Sequence, residues 1–182
     1  MLTERIILGI DPGTSIMGYG ILKASGNKVS ALDMGIVSMK KIMDPYLKLK
    51  EIFDSTIKLI DRFNPDELAI EAPFYGKNVQ SMLKLGRAQG VAISAALQRN
   101  IPIFEYAPRK IKMAITGQGA ASKEQVAGIL MNILKLKEEP KNLDATDALA
   151  AALCHFYQKN IPGGKTYRDW GDFLNKNPDR TT

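Results

Sequence analysis

Cysteine and histidine are almost absent from this chain of 182 residues. The only cysteine, Cys154, cannot form an internal disulfide, so the fold must hold without one, as is typical of proteins in a reducing compartment. We expect Cys154 to be a small core residue. The only histidine, His155, lies near the end of a predicted helix, where a structural role is favoured over metal ligation.

Long apolar runs are missing as well. The longest one, near residues 91–97, is far shorter than the roughly 20 residues of a membrane-spanning helix. Residues 6–10 are too few for the core of a signal peptide, and Glu4 stands where basic residues would be expected. The sequence therefore predicts a cytoplasmic protein without a membrane span.

Composition and charge are those of an ordinary globular domain with a basic balance. Hydrophobic residues make up 45% of the chain and charged residues 24%, which excludes a disordered or fibrous protein. The formal net charge of +6 suits a polyanionic partner, although solvated lysine faces give the same excess. We predict one domain over residues 1–160 and a polar tail over residues 161–182.

The order of periodic segments predicts an α/β fold. Turn residues separate extended segments near the start, which indicates an antiparallel meander of three strands, and βαβ crossovers then add two parallel strands. We expect a five-stranded mixed sheet with helices on both faces. The predicted strands cover 5–10, 19–22, 28–38, 67–71 and 102–106, and the predicted helices cover 46–63, 78–99, 122–136 and 144–159.

Four acidic residues lie at positions where α/β folds place their sites. Asp11 and Glu71 each end a predicted strand, so parallel neighbouring strands would bring them together. Asp144 and Asp147 are three residues apart, which puts both on one helix face. Clustered carboxylates disfavour one another's ionisation unless a cation compensates. Their oxygens suit Mg²⁺, and a pair of such ions about 4 Å apart promotes in-line displacement at phosphorus.

Taken singly, each acid also has a structural explanation. Asp11 precedes Pro-Gly and is a good turn former, Glu71 fits a solvated strand end, and Asp144 fits the first turn of a helix, where the dipole favours an acid. Asp147 fits a solvated helix surface. The combination in one strand, strand, helix order is what favours a metal site.

Six short motifs extend this pattern, and together they resemble the RuvC Holliday-junction resolvases over about residues 6–155. The resemblance implies a ribonuclease H-like fold, a homodimer, and paired magnesium-dependent nicks at a four-way DNA junction during recombination and repair. It implies two Mg²⁺ ions per active site, with Mn²⁺ as a substitute, and a partnership with an ATP-driven branch-migration helicase complex. The motifs are Ile10-Asp11-Pro12-Gly13-Thr14, Gly18-Tyr19-Gly20, Ile70-Glu71, Lys84-Leu85-Gly86, Phe104-Glu105-Tyr106-Ala107 and Asp144-Ala145-Thr146-Asp147-Ala148-Leu149-Ala150.

The same resemblance assigns roles to individual residues. Asp11, Glu71, Asp144 and Asp147 match the four catalytic, metal-binding acids of the family. An aromatic residue matching Phe74 stacks at the opened junction centre, although Phe74 also fits a core cap. Lys112 and Lys123 match basic positions near the scissile phosphate. Tyr75 is a further candidate for contact with DNA, and weaker candidates for contact with its backbone are Lys77, Arg87, Arg109 and Lys110. Any of the basic candidates, Lys112 and Lys123 included, also fits plain surface charge.

Two positions depart from the family pattern. A polar residue is expected after the catalytic glutamate, but this chain has Ala72-Pro73, which removes a side-chain contact to DNA and stiffens the loop. Thr14 replaces a common serine and keeps its hydroxyl. Small residues also make the helix over 78–99 thin, which suits either a dimer interface, as in the family, or close packing on its own sheet: Gly86, Gly90, Ala92, Ala95 and Ala96.

Two other functions remain open at this point. The segment Asp11-Pro12-Gly13-Thr14 also resembles the first phosphate loop of actin-like and sugar-kinase ATPases, but a second such loop and a second lobe are missing from the sequence. A junction-binding module without catalytic activity is the other alternative, and such a module would be expected to have lost at least one of the four acids.

Overall fold

The computed structural model describes residues 4–73, 78–136, 142–159 and 170–177. Its centre is a sheet of five strands in the order β3-β2-β1-β4-β5. The first three strands form an antiparallel meander, and β4 and β5 run parallel to β1. This confirms the predicted mixed sheet. The strands are β1 Glu4–Asp11, β2 Ile16–Ser25, β3 Lys28–Ser38, β4 Glu67–Glu71 and β5 Ile103–Tyr106.

Six helices lie in the described part of the chain, four of them close to their predicted bounds. The helix α1 begins after Asp44, whose carboxylate accepts hydrogen bonds from two backbone N–H groups, and ends at Asn64 in the left-handed conformation. Ser122 and Gln125 form the predicted capping box at the start of α4. The helices are α1 Pro45–Phe63, α2 Val79–Gln98, α3 Pro108–Thr116, α4 Lys123–Leu134, α5 Leu143–Lys159 and α6 Trp170–Lys176.

Each face of the sheet carries a hydrophobic core, and helices cover both faces, as predicted. On one face α1 and α2 cover strand residues such as Leu8 and Ile10. On the other face α3, α4 and α5 pack over residues such as Ile7 and Ala69. The alternation follows from the period of two along a strand. No helix within the described ranges has both the length and the apolar character required to cross a membrane.

The α5 helix lies unusually close to the sheet. Glycines of β1 and β2 face it, and a Cβ built on Gly9 would lie 2.0 Å from the carbonyl oxygen of Ala148. A Cβ on Gly20 would lie 2.7 Å from the Cα of Leu149. All helix residues from Ala148 to Phe156 are buried, and most of them are small. Glycines in β1 and β2 and alanines in α5 therefore set the distance between α5 and the sheet.

Both residues of the pair Cys154 and His155 are buried, as expected. The Nε2 of His155 lies 2.9 Å from the carboxylate of Glu67. Its Nδ1 lies 2.6 Å from the hydroxyl of Tyr106. Burial raises the pKa of the Tyr106 phenol well above its ordinary value, so the phenol keeps its proton. His155 thus joins β4, β5 and α5 in one hydrogen-bonded group.

Two helices were not predicted. The helix α3 begins with Pro108, which fixes a helical φ, and it ends at Gly117 with φ of +74°. The short α6 lies in the segment predicted to be a polar tail, and its Phe173 is buried with its ring 5.9 Å from that of Phe104. The division at residue 160 stays a prediction.

The small residues of α2 fall into buried alanines and glycines with open space around them. Ala92, Ala95 and Ala96 are buried, and Ala92 and Ala96 belong to the core shared with α1. A Cβ placed on Gly86 or Gly90 would meet no atom within 4 Å. Ala92 and Ala96 therefore serve packing in the chain's own core, and a role of the glycines in a dimer stays a prediction.

Candidate active site

The ends of two parallel strands bring Asp11 and Glu71 together. Asp11 is the last residue of β1 and Glu71 the last of β4. Ile10 is paired with Ile70, so the next residue on each strand lies at the same edge of the sheet. Ile10 and Ile70 face the core below α1 and α2, and the acids that follow therefore face α5.

The first turns of α5 supply two further carboxylates. Asp144 and Asp147 lie on one face of the helix, and their side chains are 34% and 14% exposed. Asp11, Asp144 and Asp147 can each offer an oxygen such that all three lie within 4.8 Å of one another. Glu71 is outside this tight group, but its charge acts on Asp11. All four predicted acids thus converge at one edge of the sheet.

Burial and crowding raise the pKa values of three of the acids, Asp11, Glu71 and Asp147. Burial raises the pKa of Asp11 to about 8, and the charges of Glu71, Asp147 and Asp144 add to the effect. Burial, followed by the charge of Asp147, raises the pKa of Glu71 to about 7. Burial also raises the pKa of Asp147. The metal-free site therefore retains protons near neutral pH, as expected where like charges share a partly dry pocket.

Two lysines partly offset the negative charge. The ammonium of Lys123 forms ion pairs with Asp147 and with Asp144, the latter at 3.6 Å. Lys112 also lowers the pKa of Glu71, less strongly than Lys123 does. Both were predicted as basic residues near a phosphate, and both lie beside the acids.

The donor set fits a hard divalent cation. All four acids offer carboxylate oxygen, the ligand that Mg²⁺ and Mn²⁺ prefer, and no described cysteine or histidine lies among them. Burial and neighbouring acids raise the pKa values of Asp11 and Glu71, and a bound cation would favour their ionised forms. Asp11, Glu71, Asp144 and Asp147 are therefore the residues that could hold a metal.

The other predicted contact residues are more widely spread. Arg109 and Lys112 line a groove of about 750 Å³ together with Ala72 and Pro73, directly beyond Glu71. Arg87 lines a shallow cavity of about 40 Å³ that also includes Thr14. Lys110 is exposed, with its ammonium 5.3 Å from the ring centre of Tyr106 rather than beside the acids. Phe74, Tyr75 and Lys77 lie outside the described residues.

One residue near the site had no predicted role. Gln89 of α2 is buried, and its amide donates to the carboxylate of Glu105 at 3.0 Å and, more weakly, to the carbonyl of Glu71 at 3.5 Å. It ties the end of β4 to β5 and α2. In the sequence, Gln89 could have been noticed as a polar residue among the small residues of the buried face of α2.

In EDTA, the thermal stability of the protein is expected to fall as pH rises from about 5 to about 8.5. The folded-state pKa of Asp11 is raised from 3.8 to about 8, and that of Glu71 from 4.5 to about 7. Between each pair of values the folded protein binds more protons than the unfolded chain, so stability declines as pH rises through the folded pKa values, the higher of which is about 8, and then levels off. Asp11→Asn should flatten the decline, as measured by melting temperature; equal slopes for both proteins would contradict the assignment.

Comparisons with known proteins agree on one family. The sequence model of the crossover junction endodeoxyribonuclease RuvC matches residues 7–155. Proteins of that name from Christiangramia forsetii and Porphyromonas gingivalis are 60% and 58% identical to this chain, each over 97% of it and over 92% and 97% of their own lengths. A structure of T. thermophilus RuvC in complex with Holliday junction substrate superposes with a TM-score of 0.81 at 31% identity, covering 88% of this chain and 98% of that one. The expected ribonuclease H-like fold is thereby confirmed.

Proposed function

This chain belongs to the RuvC family of crossover junction endodeoxyribonucleases, and we propose that it resolves four-way (Holliday) DNA junctions by paired, symmetric hydrolysis of the DNA backbone during recombination and repair. The observation that carries this proposal is the convergence of Asp11, Glu71, Asp144 and Asp147 at one sheet edge. A module that only binds junctions would have no need for four carboxylates in one pocket, since their repulsion opposes folding.

We assign these four acids as catalytic metal ligands, with two Mg²⁺ ions per active site as the expected cofactors and Mn²⁺ as a substitute. Bound there, such ions supply an activated water and stabilise charge at the phosphorus and the leaving oxygen. The chain fixes the ligands on rigid elements, because Asp11 and Glu71 end paired strands and the other two lie on a buried helix. The site is therefore organised before DNA arrives.

Basic groups beside the acids would bind the backbone phosphates. The groove beyond Glu71 carries Arg109 and Lys112 and continues from the acidic pocket through Ala72 and Pro73, which line both. A strand lying in this groove would pass the carboxylates. Contacts from Phe74, Tyr75, Lys77, Arg87, Lys110 and Lys123 complete the proposed DNA-binding set.

Paired cutting requires two active sites on one junction. We therefore propose a homodimer, and exposed apolar side chains near the starts of α1 and α2, which include Met43, Tyr46 and Leu83, offer a surface for it. The RuvC resemblance also supports a branch-migration helicase complex as a partner and the cytoplasm as the location.

A junction cleavage assay tests the proposal. Purified protein is incubated with an end-labelled synthetic four-way junction or with linear duplex of the same sequence, in Mg²⁺ or in EDTA. We expect symmetric nicks on the junction alone and only with Mg²⁺. Tight junction binding without cleavage under Mg²⁺ and Mn²⁺ would instead support a binding module, and ATP hydrolysis without DNA would support a kinase-like enzyme.

A further inference from the structure

The ammonium group of Lys123 lies among the carboxylates that could hold a divalent cation. Its Nζ is 3.6 Å from Oδ1 of Asp144 and also forms an ion pair with Oδ2 of Asp147. These two acids and Asp11 form the group whose oxygens lie within 4.8 Å of one another. Lys123 thus places a positive charge in direct contact with the cluster.

The start of α4 fixes the backbone of Lys123 at this place, and about half of its side chain is exposed. Lys123 is the first residue of α4, and the reciprocal hydrogen bonds of Ser122 and Gln125, at 3.2 and 2.8 Å, fix that end of the helix. The side chain of Lys123 is 48% exposed. A long side chain with half its surface in water can reach other positions without displacing the core.

Lys123 and a bound cation would carry charges of the same sign. A lysine ammonium has an ordinary pKa of about 10.4, so it is charged throughout the neutral range. A divalent ion held by Asp144 and Asp147 would therefore meet a like charge, since the ammonium lies 3.6 Å from Oδ1 of Asp144.

We propose that Lys123 is an internal counter-ion of the metal-free site, which a divalent cation displaces on binding, so that Lys123 lowers the affinity of the site for metal. This inference rests on the proposed metal site. The displaced ammonium would remain at the rim of the pocket, where an incoming backbone phosphate offers it a new anionic partner. Lys123 would then couple the loading of metal to the arrival of DNA.

A metal titration of the full-length protein without DNA tests the proposal. Free Mn²⁺ is followed by its paramagnetic resonance signal at about pH 8.5, where the raised pKa of Asp11, about 8, leaves most of its carboxyls ionised. Lys123→Met should bind Mn²⁺ on the order of tenfold more tightly than the unchanged protein, because a unit positive charge in contact with the ligands is removed.

Lys112→Met is the matched control, since it removes the same charge from a lysine that acts on Glu71 and Asp147 without contact at ion-pair distance. Its affinity should change by less than about threefold, because the interaction weakens with distance and is screened. Equal tightening in both variants would overturn the contact mechanism, and so would unchanged or weaker binding by Lys123→Met. Circular dichroism confirms that each variant is folded.

Nuclear magnetic resonance of protein labelled with ¹⁵N-lysine gives a second measurement, made on the unchanged protein. A variant of Lys123 is needed only to assign its signal. The Lys123 Nζ signal should move on addition of Mg²⁺ as the ion pair breaks, whereas an unmoved signal in the metal-saturated protein would overturn the inference. Failure of the unchanged protein to bind Mn²⁺ at all would instead remove the proposed metal site, and this inference with it.

Discussion

Asp11→Asn is expected to abolish cutting of a four-way junction while junction binding persists. Asp11 is the acid common to the strand pair and the tight group with Asp144 and Asp147, so its loss removes a charged metal ligand at the centre of the cluster. Several kcal/mol of metal-dependent stabilisation corresponds to a cleavage rate at least about a thousandfold lower. The basic groove that contains Arg109 and Lys112 is unchanged, so affinity for DNA should remain.

Unfolding would not account for the loss of cleavage in Asp11→Asn. The carboxyl of Asp11 is destabilised by burial and by its acidic neighbours, which raise its pKa to about 8, so a neutral amide should leave the protein at least as stable at that pH. Asp61→Asn makes the same chemical change on α1 in an exposed ion pair with Arg99 and should cut normally.

Single-turnover cleavage of a labelled junction in Mg²⁺ and gel-shift titration in EDTA measure the two properties separately. Cleavage by Asp11→Asn within tenfold of the unchanged protein would remove Asp11 from the proposed ligand set. Parallel loss of binding and cutting would indicate a structural role instead.

The sheet and the acids were predictable because local patterns specify them. Alternating apolar residues and short turns fixed the strands, and Asp11 and Glu71 were recognisable because each follows directly on a short apolar strand. The spacing of three placed Asp144 and Asp147 on one helix face without knowledge of the fold. The meeting of Asp11 and Glu71 then required that β1 and β4 be parallel neighbours, as they are.

Features that depend on packing between distant elements were not predictable. The ion pairs of Lys123 cross from α4 to α5 and exist only because the two helices pack together. The raised pKa values of Asp11 and Glu71 come first from burial, which the local sequence does not reveal. The helix α3 was missed because only Ile111 and Ile115 mark its buried face, although Pro108 signalled its start.

Gly18 lies where α5 packs on the sheet beside the acids. Gly18→Ala is expected to lower the stability of the protein, its affinity for metal and its rate of cleavage. Gly18 is paired with Asp11 across the β1-β2 ladder. A Cβ at Gly18 would lie 1.9 Å from the carbonyl oxygen of Asp144. Backbone at that distance cannot yield by rotating a side chain, so α5 would have to lift from the sheet at the turn that bears the acids. Overpacking of this kind costs about 3 kcal/mol.

Chemical denaturation measures the loss of stability, and Mn²⁺ titration with single-turnover cleavage measures the loss of the site. Gly128→Ala is the matched control, because the same methyl group on the exposed face of α4 meets no atom within 4 Å and should stabilise the helix by up to about 1 kcal/mol. Under conditions where Gly18→Ala remains folded, its metal affinity and cleavage rate should still be lower, since α5 carries two of the four ligands. An alanine variant with unchanged stability and unchanged cleavage would mean that the height of α5 over β2 does not set the geometry of the acids.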